Sequence, residues 1–174
     1  VLPDNDLAWQ IQQAGQQQLA RADYAQYEVS AYARPGRRCA HNLNYWQFGD
    51  YLGLGAGAHG KITDASQQNI TRLAKVRHPQ DFIETAGSTK SIQSERVLTR
   101  KDVGLEFMMN ALRLNEGFET ALFVAHTGQQ LVLIESPLSE AEETGLIERD
   151  LKQIRPTEKG SQFLDDLLTL FVAS

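Results

Sequence analysis

The stretch HNLNYW, His41 to Trp46, sets one imidazole, two carboxamides and two large aromatic rings within six residues. Neutral imidazole is the commonest metal ligand and suits iron. His41 is therefore a candidate metal ligand, with a hydrogen-bonded surface histidine as the plain alternative. Tyr45 and Trp46 offer either a flat apolar wall for a planar ligand or ordinary core packing. Asn42 and Asn44 have turn backbone as their simplest partner. Immediately upstream, the basic loop RPGRR carries Arg34, Arg37 and Arg38. Guanidinium forks suit carboxylates and phosphates, so these three are candidates for holding the anionic groups of a ligand; the alternative is a solvated loop.

A second unusual run follows, GAGAHG, Gly55 to Gly60. It matches the dinucleotide pattern G-x-G-x-x-G, which requires a helix to follow. KITD comes next and does not open one, so the glycines are expected to let another backbone or a ligand come close. His59, inside that run, ranks above His78 and His126, which have no chemical company in sequence. Cys39 is the single cysteine. It excludes an internal disulfide and an iron–sulfur cluster held by this chain, because a cluster needs several thiolates, and it favours a cytoplasmic setting. No Ser-His-Asp, HExxH, P-loop or paired-cysteine zinc pattern is present.

The elements that must position these residues can be read from spacing. Residues 6–22 have helical periodicity behind the caps Asp4 and Asp6. YEVSAYA, Tyr27 to Ala33, predicts a strand, and RPGRR a turn. DYLGLGAGA, Asp50 to Ala58, predicts a second, buried strand. KIT and TRLAKVR predict an antiparallel pair, and HPQDFIETAG a short helix opened by Pro79 and closed by Gly87. GSTKSIQSERVLTR is polar and is the expected linker, with residues 1–90 before it, 91–99 as its core and 100–174 beyond. The second part predicts a helix over KDVGLEFMMNALRL, one ending at Gly128, one bent near Pro137 and stopped by Gly145, and a hairpin over LIERDLKQIRP. Thr157 then caps a last helix with Phe163, Leu164, Leu167, Leu168 and Phe171 on one stripe. Three helices, a hairpin wing and a closing helix make a winged-helix-like unit.

At 174 residues, 41% hydrophobic and 22% charged, the chain can build a packed core and is not disordered. No apolar run approaches the ~18 residues of a membrane span. The start VLPDNDLAWQ has no initiator methionine, basic n-region or apolar h-region, so it is expected to be the interior of a longer protein. Residues 1–99 carry a net charge of +1 and residues 100–174 one of −6. Phosphate contact needs local positive charge, which disfavours nucleic acid as a partner of the second part.

YEVSAYARPGRRCAHNLNYWQFGDYLGLGAGAHGK resembles the radical-SAM proteins related to oxygen-independent coproporphyrinogen III oxidase, and within them the bacterial heme chaperones (HemW-like). HNLNYW and GDYLGLGAGAHGK carry the likeness to that branch. The tail GLIERDL…IRPTEKGSQFLDDLLTLF is similar to the family's C-terminal helical domain, so the resemblance covers nearly the whole chain.

The resemblance implies an α/β plus α fold: the last strands and helices of a partial (βα)6 radical-SAM barrel, followed by the winged-helix-like C-terminal domain. The 27–33 and 50–58 strands would be late barrel strands. It implies S-adenosyl-L-methionine and a [4Fe-4S] cluster in the full-length protein, the cluster ligands being absent here. Gly55, Ala56, Gly57, Ala58 and His59 would run near S-adenosylmethionine. In the chaperone branch the HNxxYW motif is associated with heme binding, which makes His41 the expected heme-iron contact, with Asn42, Tyr45 and Trp46 as motif partners. The function implied is a heme-binding chaperone, passing heme to acceptors such as respiratory enzymes; peripheral membrane contact of the parent protein stays open. Three alternatives remain: a coproporphyrinogen III oxidase-like enzyme, a winged-helix nucleic-acid binder opposed by charge, and a lid without chemistry. This chain alone is expected to be inactive and to self-associate through open barrel edges.

Overall fold

The computed structural model describes residues 2–172 and is a mixed α/β structure. Helix α1 (Asn5–Arg21) starts where the Asp4 carboxylate accepts from the Leu7 amide at 2.8 Å. None of its residues is buried, and Leu7 and Ile11 stay exposed. The single strand expected over 27–33 is instead a hairpin, β1 (Ala25–Glu28) and β2 (Ala31–Ala33). Its reversal is driven by the buried Glu28 carboxylate, which accepts from both the amide and the hydroxyl of Ser30. The expected turn at RPGRR is present, with Gly36 at φ 70°. Helix α2 (Ala40–Trp46) follows it.

The buried strand expected over 50–58 is an irregular loop. Only Tyr51 bridges to Lys61, while Leu52 and Leu54 are exposed. Gly55 at φ 98° and Gly57 at φ 67° are incompatible with a strand. The expected antiparallel pair is present as β3 (His59–Asp64) and β4 (Asn69–Lys75), and α3 (Pro79–Thr85) carries Pro79 in its first turn. Much of the expected linker 91–99 is a third strand, β5 (Ile92–Val97), paired with β4. As an edge strand its residues 93–97 are all exposed, so it lacks the polar–apolar alternation by which a strand announces itself. Every strand pairing among the described residues is antiparallel.

Helix α4 (Arg100–Ala111) opens with a capping box in which Thr99 and Asp102 exchange hydrogen bonds. Strand β6 (Phe118–Glu119), not anticipated, runs into α5 (Thr120–Thr127), which ends on Gly128 in the left-handed conformation. A 3-10 turn over Leu131–Ile134 precedes α6 (Glu135–Glu143). The predicted hairpin is β7 (Ile147–Arg149) and β8 (Gln153–Pro156), in a sheet of order β6-β8-β7. Thr157 caps as expected, but the last helix breaks at Phe163 into α7 (Glu158–Gln162) and α8 (Leu164–Val172). Leu167 and Phe171 are buried, whereas Phe163 is exposed. Among the described residues no helix is long and apolar enough to cross a membrane.

The main core centres on Phe107 of α4, whose ring meets Phe48, Phe118 and Phe123 edge-on at 5.7, 4.9 and 5.0 Å. Phe48 and Ile70 belong to this same cluster, so the two parts of the chain share one core. A second cluster, Tyr27, Ala33 and Leu114, packs Leu43 and Trp46 of α2 against the hairpin.

Candidate functional site

Helical spacing splits HNLNYW into two faces. His41 and Tyr45 lie four residues apart and meet ring to ring, edge-on, at 4.8 Å. Tyr45 in turn meets Tyr51 at 4.5 Å. Tyr51 is held from beneath: Arg72 of β4 donates to its hydroxyl at 2.5 Å and to Glu106 of α4 at 2.7 Å. The three rings form an open ledge, continued in sequence by the exposed Leu52 and Leu54. His41 is exposed, and neither ring nitrogen bonds another described residue. Its imidazole is therefore oriented by Tyr45, with its ring nitrogens open to a ligand such as a metal.

Trp46 does something else. It packs on the second cluster, under the Arg113 guanidinium at 4.4 Å. Its buried indole Nε1 finds no acceptor among the described residues. Arg113 also pairs with the buried Glu28 at 3.3 Å. Trp46 is thus the bolt that seats α2, not the second half of a flat wall with Tyr45.

The end of α2 is wired to the segment after it. Asn44 Nδ2 donates to the Asp50 carbonyl at 3.0 Å, and the Gly49 amide donates to the Asn44 carbonyl at 2.7 Å. A Cβ at Gly49 would sit 2.8 Å from the Asn44 backbone carbonyl oxygen and 2.2 Å from its Oδ1, so any larger residue would have to move the helix end and displace the Asn44 side chain. The side chain of Lys61 is 2% exposed. Its ammonium donates to the Phe48 carbonyl at 2.9 Å, the Asp50 carboxylate at 2.7 Å and the Thr63 hydroxyl at 3.4 Å. It also lies 4.2 Å from the Phe48 ring centroid. Burial pushes the Lys61 ammonium below the ordinary lysine value, against the opposing pull of Asp50. Burial raises the Asp50 carboxyl, but the bonds from Lys61 and Thr63 outweigh it and hold the group below its ordinary value. Three oxygen acceptors around one Nζ are the geometry of the charged form, with the cost of burial falling on the lysine. From α5, His126 adds a fourth tie: its Nδ1 lies 2.6 Å from the Gln47 carbonyl and donates to it as the Nδ1–H tautomer or as imidazolium.

The remaining expected residues are dispersed. Arg38 grips Glu116 with both guanidinium nitrogens and lies over Tyr27 at 5.7 Å, so it is engaged within the fold. Arg34 lies over Tyr24 at 5.1 Å, and Arg37 is exposed. Asn42 is half-buried on α2 and makes no side-chain hydrogen bond to another described residue. In the glycine loop, the Gly57 amide donates to the Val76 carbonyl at 2.8 Å, while Gly55, Ala56 and His59 are exposed. A Cβ at the neighbouring Gly53 would meet the His59 carbonyl oxygen at 2.1 Å, so part of the glycine content serves the chain's own close approach. His59 pairs with Ala74 at the start of β3. His41 and the glycine loop are therefore joined through Tyr51 and β3 but are not one cluster. Tyr51, Asp50, Lys61 and Arg72 were missed in sequence because each reaches the site from another element. Residues fit for an iron–sulfur cluster are lacking: the chain has one cysteine, and no group of three or more potential ligands exists among the described residues.

Three comparisons place this geometry. The HemN C-terminal domain matches residues 98–163. The protein named Heme chaperone HemW in Escherichia coli (strain K12) is 44% identical over 99% of this chain and 44% of its own length. The protein of that name in Haemophilus influenzae is 39% identical over 98% of this chain and 43% of its own length. Among solved structures, the radical SAM enzyme coproporphyrinogen III oxidase (HemN) from Escherichia coli superposes with a TM-score of 0.68 over 98% of this chain and 42% of that one, at 18% identity. That likeness shows the fold. The chain spans less than half the length of the relatives it matches.

Proposed function

We propose that this chain belongs, over the length it spans, to the family of the heme chaperone HemW and that it supplies the heme-contacting part of such a chaperone. One observation carries the reading: His41 presents an imidazole whose two nitrogens bond no other residue among those described, its ring braced edge-on by Tyr45. Imidazole is a fitting ligand for heme iron, and His41 would be the residue to supply it. Tyr45, Tyr51 and the exposed Leu52 and Leu54 offer an apolar margin for a macrocycle, and Arg37, with Arg34 beside it, the cations for its carboxylates. Asn42 lies beside His41, and Trp46 seats the helix.

In the full-length protein the exposed loop Gly55 to His59, including Ala56, Gly57 and Ala58, would face S-adenosyl-L-methionine, with the [4Fe-4S] cluster supplied by residues other than these. Delivery of heme to acceptor proteins in the cytoplasm, self-association through open strand edges and a winged-helix-like role for residues 100–174 belong to the same proposal. The test is a heme titration of the full-length protein and of His41→Ala, read in affinity and in the Soret band. The expected result is about tenfold weaker binding with an altered spectrum; identical curves would remove His41 from the site. Anaerobic conversion of coproporphyrinogen III by the same protein would instead favour the oxidase reading.

A further inference from the structure

A buried lysine has to be explained. Lys61 gives up its solvation on burial, and an apolar side chain of similar volume would fill the same space. What the apolar side chain could not do is hold three oxygen atoms in a set arrangement. Those oxygens belong to Phe48, Asp50 and Thr63. Two of them bracket the passage from α2 to Tyr51. Phe48 sits there at φ 60°, a left-handed conformation that a bulky residue adopts only when its surroundings impose it. Asn44, from the helix itself, closes the ring through the Asp50 carbonyl. Tyr51 then emerges from this knot against Tyr45, and Tyr45 against His41.

We propose that Lys61 is a positioning residue for the His41 site: by joining the Phe48 carbonyl to the Asp50 carboxylate it sets Tyr51 against Tyr45 and thereby fixes the orientation of the His41 imidazole. The inference rests on the heme reading above and deepens it. Lys61 touches no heme; it acts through Asp50, Tyr51 and Tyr45. Because Lys61 lies on β3, two residues after His59, the same contact links the glycine loop to α2.

The experiment is a double-mutant cycle on the full-length protein, using hemin as the probe. Heme affinity and Soret maximum are measured for the wild type, Lys61→Met, His41→Ala and the double variant, with a thermal melt of each. Lys61→Met is expected to weaken heme binding about tenfold and to shift the Soret band in the His41 protein. In the His41→Ala background it is expected to change neither. Unchanged binding by Lys61→Met alone would overturn the proposal, and so would an equal loss in both backgrounds, which marks a purely structural role. If His41→Ala leaves binding intact, the heme reading itself fails, and this inference with it. Asp50→Asn weakens the other end of the same link, the 2.7 Å contact between Nζ and the carboxylate; it repeats the cycle with the same expected outcomes should Lys61→Met not fold.

Discussion

The two faces of α2 predict opposite consequences for its two most conspicuous residues. Full truncation of a buried tryptophan costs about 3–5 kcal/mol. Trp46 is half-buried, which brings the packing loss in Trp46→Ala to about 2 kcal/mol. Losing the Arg113 contact adds about 0.5–1 kcal/mol, for a total of about 2.5–3 kcal/mol. Trp46→Phe keeps a ring under Arg113 and removes an indole N–H that has no acceptor among the described residues, so its cost should be about 1 kcal/mol or less. His41→Ala removes an exposed ring with one aromatic neighbour and should shift stability by no more than about 0.5 kcal/mol. Urea unfolding curves give the three stabilities, and hemin titration under native conditions the three affinities. The reasoning requires Trp46→Phe to bind heme like the wild type while His41→Ala does not. A stable Trp46→Ala that loses heme, or a His41→Ala that unfolds, would show that the faces have been assigned the wrong way round.

Two further perturbations test the framework around the site. Gly160→Ala places a Cβ 1.8 Å from the Leu146 carbonyl oxygen, backbone against backbone; a loss of at least about 2 kcal/mol is expected in urea unfolding, and wild-type stability would contradict the close approach of α7 to the residue that leads into β7. The Asp50 carboxyl is held below its ordinary value by Lys61 and Thr63 despite burial acting the other way. A carboxyl depressed on folding contributes stability above about pH 4 that disappears as pH falls through the lower folded value. Thermal melts between about pH 6 and about pH 2 should therefore show a shallower acid decline in Asp50→Asn than in the wild type, and parallel curves would count against the pair.

Much of this architecture was legible because its signals are local. Asp4, Thr157, Pro79, Gly128 and Gly145 mark helix ends by side-chain chemistry or by tolerance of positive φ, and each does so in the structure. HNLNYW drew notice through its composition. Its division into a presented face and a seated face depends on the helix that these residues form, and on Tyr51 arriving from outside it. β5 escaped notice because an edge strand can be polar along its length. Asp50 to Ala58 reads as a strand in sequence because its alternating leucines and glycines imitate one, while the backbone angles at Gly55 and Gly57 forbid it. Lys61 left no trace in sequence: nothing nearby tells a buried ammonium from a solvated one.

Phe48 lies on the segment that links α2 to β3, yet its ring is sunk among side chains of α4 and its neighbours. Rotating the later helices away from α2 would have to drag that ring out of its socket and break the His126 tie to Gln47 on the same path. Strain introduced at position 41 thus has a stiff route into the helical layer, and a hinge that frees those helices would have to open on the far side of this peg.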